Sequence, residues 1–157
     1  LLVQKRKTII MRKKGNVFAF SEQRDKDLLD AYHRQLEKQL SMYGRIIITG
    51  LIQKVINSNA SRYWVSSERA CVVINKLEKG ESINYMKANK IRFYKALYKE
   101  FCTFRETHPE MPKKHIVEIV ITHPAPCFGM SQRVAGNIIR RMKKKCREEK
   151  VKRFTSK

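Results

Sequence analysis

Acidic side chains are scarce in this chain. Its 157 residues include 14 Asp and Glu against 35 Lys and Arg, a formal net charge of +21. Such an imbalance disfavours basic partners and favours polyanions: DNA, RNA or an anionic surface. A run of 18 apolar residues is also missing, as is the apolar stretch that marks a secretory signal. No membrane association is therefore expected, and the expected location is cytoplasmic, on the nucleoid if the cell is bacterial. The four cysteines, Cys71, Cys102, Cys127 and Cys146, form no CxxC pair. His123 and Cys127 have a ligand-like spacing but lack two further partners nearby, so neither a metal nor another cofactor is expected.

Catalytic signals are equally thin. There is no Gly-rich phosphate loop and no nucleophile motif, and His33, His108, His115 and His123 are dispersed. Glu22, Asp25, Asp27, Asp30 and Glu37 read as the solvated face of a helix. No catalytic residue is assigned, and a binding protein is expected rather than an enzyme.

What the chain does have is basic charge at both ends. Residues 1–20 carry six basic and no acidic side chains, and residues 140–157 carry ten basic and two acidic. Sequence-independent affinity for nucleic acid grows with the number of phosphates neutralised, so these ends read as gripping arms. Arg12, Lys13, Lys14, Lys143, Lys145 and Arg147 are the expected phosphate contacts. Residues 1–10 precede Met11-Arg-Lys-Lys-Gly, which has the form of a natural start, so the first ten residues are expected to be leader or added sequence.

The chain also reads twice. Residues 51–79 align without a gap on 116–144 at an offset of 65, with seven of 29 pairs identical. Among the identities are Ala60/Ala125, Ser66/Ser131, Ala70/Ala135 and Ile74/Ile139, and Tyr63/Phe128, Val73/Ile138 and Leu77/Met142 keep their chemistry. The matches fall where a core needs them, and they extend weakly upstream to cover 24–79 and 89–144. A repeated unit can be understood once and applied twice.

Apolar spacings of three and four predict a helix over Ser21 to Leu40 and another over Asn89 to Thr107. A second helix is expected over Ile46 to Ile56 in the first copy and over Lys113 to Thr122 in the second, with Pro112 in its first turn. Ser66 and Ser131 are placed to cap the third helices, the first ending near Lys79 before Gly80, the second running to about residue 150. The expected organisation is a flexible basic arm (1–20), a three-helix unit (21–80), a linker (81–87), a second three-helix unit (88–147) and a basic tail (148–157). Tyr63 and Phe128 read as repeated core plugs, whereas Trp64, opposite Gly129, is left unexplained by the repeat.

A long helix, a shorter helix, a turn and a capped helix resemble the three-helix, homeodomain-like form of helix-turn-helix DNA-binding proteins. The resemblance covers nearly the whole chain as architecture, matches no specific family, and implies an all-α tandem repeat in which the last helix of a unit reads the major groove. In the second copy, Ala135, Ile138, Ile139 and Met142 form the buried stripe. Arg133, Asn137, Arg140 and Lys144 then share the opposite face, with Arg141 on a flank and Gln132 near the capping Ser131. Arg, Asn and Gln can make paired hydrogen bonds to base edges.

The equivalent positions of the first copy are Glu68, Val72, Asn75 and Lys79, so weaker contacts are expected there, through Arg69, Asn75, Lys76 and Lys79. A protein partner or a second copy of the chain could instead use Cys71 and Val72. The leading expectation is a sequence-preferring binder of double-stranded DNA, a transcription regulator or mobile-element accessory factor. The alternatives are an RNA-binding protein and a helical adaptor for an acidic protein.

Overall fold

A computed structural model describes the backbone of residues 2–156 and the side chains of 20–156. The described chain is all-α. Its helices are α1 (Leu2–Tyr43), α2 (Leu51–Ile56), α3 (Ser67–Glu78), α4 (Ala88–Thr107), α5 (Lys113–Val120) and α6 (Gln132–Thr155). None of them is long and apolar enough to cross a membrane.

The expected boundaries need four corrections, the first being that α6 runs on to Thr155 through residues expected as a tail. α1 begins at Leu2 rather than at Ser21, so residues expected as an arm share its backbone; Arg12, Lys13 and Lys14 lie outside the described side chains. α2 is shorter than expected, because Gly50 takes a left-handed conformation (φ 74°) immediately before it. The β-branched run Ile46-Ile47-Ile48-Thr49 stays out of the helix, in keeping with its weak helix propensity. It is held by the buried Gln39, whose Oε1 accepts a hydrogen bond from the Ile47 N–H at 2.8 Å. Finally, Pro112 is the residue before α5, not part of its first turn.

The caps follow the sequence. Ser66 Oγ accepts from the Arg69 N–H at 3.2 Å and Ser131 Oγ from the Val134 N–H at 3.3 Å, satisfying a donor that each helix start leaves open. Beyond α3, Gly80 supplies the positive φ (76°) that turns the chain.

The two copies are interlocked through their third helices. α1 packs on α2 and α4 on α5, but α3 packs on α4 and α5, whereas α6 packs on α1 and α2. Each third helix thus completes the other copy. The segments leading to α3 and α6 cross side by side, where Ala60 and Ala125 exchange reciprocal N–H···O bonds of 3.0 and 3.1 Å. On either side, Tyr63 N–H donates to Ile121 O at 3.0 Å and Phe128 N–H to Ile56 O at 2.9 Å. Equivalent residues bond one another reciprocally, as in an isologous contact between two subunits.

A single buried cluster results, drawing on both copies. Ala70, Val73 and Ile74 of α3 and Ala135, Ile138 and Ile139 of α6 are buried as the repeat predicts. Tyr63 and Phe128 are fully buried plugs, and Tyr63 meets Phe93 edge-on at 5.2 Å between centroids. The Trp64/Gly129 mismatch now has a cause. A Cβ on Gly129 would lie 2.7 Å from Phe93 Cγ, leaving no room for a side chain. Trp64 instead sits edge-on to Phe20 (5.4 Å) and donates through Nε1 to Asp27 Oδ2 at 2.7 Å.

Asp27 also accepts from the backbone N–H and hydroxyl of Ser61, and Asp25 is 5% exposed beneath Arg24 and Arg141. The expectation that both belong to a solvated face is therefore corrected.

Candidate nucleic-acid interface and an adjoining groove

Burying Ala135, Ile138 and Ile139 fixes the rotation of α6, because successive residues turn by about 100°. Gln132, Arg133, Asn137, Arg140 and Lys144 are left exposed, with no acid between Ser131 and Arg147. Arg140 Nη2 donates to Asn137 Oδ1 at 2.7 Å and its Nε to Gly136 O at 3.2 Å, so two of the expected base-reading side chains are already held together.

Other expected site residues have partners within the chain. Arg141 pairs with the buried Asp25 and anchors α6 on α1. Lys143 lies over the Tyr32 ring at 5.1 Å and donates to its hydroxyl, and Lys145 is 3.9 Å from Glu22. Arg147 is exposed. On α3, Arg69 and Lys79 are exposed, Lys76 donates to the Tyr85 hydroxyl at 3.3 Å, and Asn75 accepts from Lys113. Val72 is exposed, whereas Cys71 lies against Lys113 in a small cleft.

The exchange of third helices brings their N-termini to one cleft of about 560 Å³, where Arg69 of α3 faces Ser131 and Val134 of α6. Lys87 and Lys90 line the same cleft. Neither was singled out from the sequence, because nothing in a linker and a helix start indicates that two distant helix ends converge there.

Lys87 also borders a larger groove of about 1030 Å³ between α1, the 46–52 segment and α6. Its walls carry Gln132, Arg133, Arg140 and Lys143, and its apolar surface comes from Leu36, Ile46, Ile48, Ile52 and Ile139. No acid lines it.

The offset of 65 identifies the counterpart of this groove in the other half. There Ser67, Glu68, Cys71, Asn75 and Lys113 stand for Gln132, Arg133, Gly136, Arg140 and Ile48, and the cleft holds only about 360 Å³. Lys113, in its wall, is held by Glu78, which accepts from Lys113 at 2.5 Å and from Arg105 at 2.7 Å. Hydrogen bonding from Lys113 is the main cause that holds the Glu78 carboxyl below its ordinary pKa.

A third cavity, about 730 Å³, brings together groups that lie far apart in the sequence. Glu100 lies 3.6 Å from His123 Nδ1, beside Tyr63. Burial pushes the Glu100 carboxyl and the Tyr63 hydroxyl above their usual ranges. His123 and Cys127 part company: the buried Cys127 thiol donates to Asn89 O at 3.6 Å. No three His, Cys, Asp or Glu converge among the described residues.

Comparison of the chain with protein-family models, curated proteins and solved structures gives no match.

Proposed function

We infer that the chain binds double-stranded DNA with a sequence preference, through the exposed face of α6, as a transcription regulator or an accessory factor of a mobile element. The observation that carries this reading is the acid-free stripe of Arg133, Asn137, Arg140 and Lys144 on a helix whose opposite face is buried. Gln132, Arg133, Asn137 and Arg140 supply base-edge contacts. Lys144 and Arg147, with Arg69, Lys87 and Lys90 around the neighbouring cleft, supply phosphate contacts.

The helix-turn-helix comparison takes a new form in this reading. The reading helix belongs to a composite unit of α1, α2 and α6, and its mate α3, with Glu68 on the corresponding face, contributes mainly Arg69. Arg141, Asn75 and Lys76 serve packing first, through Asp25, Lys113 and Tyr85.

The test is discrimination at fixed salt. Selection from random duplexes gives a preferred site, and Arg133→Ala with Asn137→Ala lowers its advantage over random DNA by about 1–3 kcal/mol per lost paired contact. Lys144→Ala weakens preferred and random DNA alike and reduces the salt slope by about one. Unchanged discrimination in the double variant overturns the reading.

A further inference from the structure

The wide groove flanking α6 asks for a different occupant. Ile48 is 81% exposed and Ile46 45%, although burying such a side chain is worth about 1.5–3 kcal/mol. These residues are not scattered singly. Gln39 fixes the segment that carries them, and they face Leu36 and Ile52 across the same depression. Around it stand Lys87, Arg133, Arg140 and Lys143.

The smaller counterpart shows which residues differ at the groove. Glu68 becomes Arg133, Glu78 becomes Lys143, Arg105 becomes Leu40 and Lys113 becomes Ile48. The ion-pair cluster is exchanged throughout, its acid Glu78 for a cation and its cations Arg105 and Lys113 for aliphatic residues, and Glu68, outside that cluster, is likewise exchanged for a cation. The volume grows from about 360 to about 1030 Å³.

We propose that this groove docks an acidic amphipathic helix of a partner protein, with Leu or Ile side chains seated on Ile46, Ile48 and Ile52 and carboxylates paired to Lys87, Arg133, Arg140 and Lys143. The commitment follows from charge and polarity together. DNA would satisfy the cations but not the aliphatic floor, and a helix with an apolar stripe and acidic flanks satisfies both. The C-terminal end of α6 from a second copy is a poor occupant. Its exposed Val151 and Phe154 sit among Lys150, Lys152 and Arg153, which the cationic rim repels. An acyl chain would leave Ile48 and much of its own length in water.

The groove shares Arg133 and Arg140 with the proposed DNA-reading face, so peptide and duplex should compete there, whereas Ile46 and Ile48 lie off the Arg133–Asn137–Arg140–Lys144 stripe and belong to the groove alone. The probe is a synthetic helical peptide of about 16 residues, apolar at every third and fourth position and otherwise rich in Glu, titrated by fluorescence anisotropy onto the full chain. A peptide with the same apolar positions and Lys in place of Glu is the control. Binding of the acidic peptide alone is expected, weakened at least about tenfold by Ile48→Lys and by Ile48→Glu. Both variants change a solvent-exposed residue, and circular dichroism checks that their helical content is that of the parent.

Affinity for the selected duplex should stay within about twofold in the uncharged variant Ile48→Gln, which should also weaken the peptide, and this separates the apolar groove from the DNA-reading face. Equal binding of both peptides, equal binding of the acidic peptide to parent and variants, or no binding at about 1 mM peptide each overturns the proposal. So does a parallel loss of duplex affinity in Ile48→Gln, which would assign the groove to nucleic acid.

Discussion

The group formed by α1, α2 and α6 and the group formed by α4, α5 and α3 share their core and differ at their rims. Ala135, Ile138 and Ile139 do in one what Ala70, Val73 and Ile74 do in the other. Around these stripes the polar chemistry has separated. On the α3 side Glu78 pairs with Lys113 and Arg105, and Asn75 accepts from Lys113, which fastens that helix to α4 and α5. The α6 side keeps a single deep anchor, Arg141 on Asp25, and leaves its remaining cations toward solvent or the groove. The equivalents of Asp25 and Arg141 are Lys90 and Lys76, so that anchor exists only once. Matching interiors permit the fold, and the mismatched rims point to separate uses of the two helices.

The comparison breaks most sharply at the anchor. Asp25→Ala leaves Arg24 and Arg141 without their carboxylate and is expected to lower stability by about 2 kcal/mol. The loss should appear first as faster hydrogen exchange in α6, with α3 unaffected. Equal loosening of both helices would mean that the two groups do not open independently.

A smaller effect is expected from Lys113→Ile, which gives the closed cleft the residue that stands at the open groove. It removes one of the two partners of Glu78 and the donor to Asn75 at a cost of up to about 1 kcal/mol, the range of partly exposed ion pairs, measured by chemical denaturation. The acidic peptide should gain no second site, because Glu68 still lines that cleft.

The smallest effect is a pH dependence. Glu78 has a lowered pKa in the folded chain, so its contribution is fully present above the unfolded carboxylate value of about 4.3 and is lost as pH falls through the folded value. The stability gap between the parent and Lys113→Ile should therefore close below about pH 4. A gap that persists in acid would assign it to packing of the lysine stem over Phe101, 5.9 Å from its Nζ, rather than to charge.

Much of the interior was legible in the sequence, since periodicity names the face of a helix that is buried. Ser66 and Ser131 announced their helices through a capping chemistry that is local, and the repeat identified Tyr63 and Phe128 as plugs. Periodicity does not say against what a face is buried. The stripe Ala70-Val73-Ile74 is the same whether α3 packs on its own copy or on the other, so the exchange of third helices left no trace in the spacing. Asp25 was misjudged for a related reason: its partner Arg141 lies 116 residues away, and a carboxylate looks solvated until its counter-ion is placed. The Arg133 face was readable because exposure follows from the buried stripe. The groove beside it was not, because it depends on Ile46 to Ile48 remaining outside α2.

The crossing at Ala60 and Ala125 also fixes a timetable. A ribosome delivers α1 and α2 long before α6, the helix that covers them, and it delivers α3 before either of the helices on which α3 rests. Self-contained tandem units would fold one after the other as they emerged. Here the early segments must wait with apolar faces uncovered, and the chain closes through contacts between its distant parts, a route that slows folding and lengthens exposure to wrong partners.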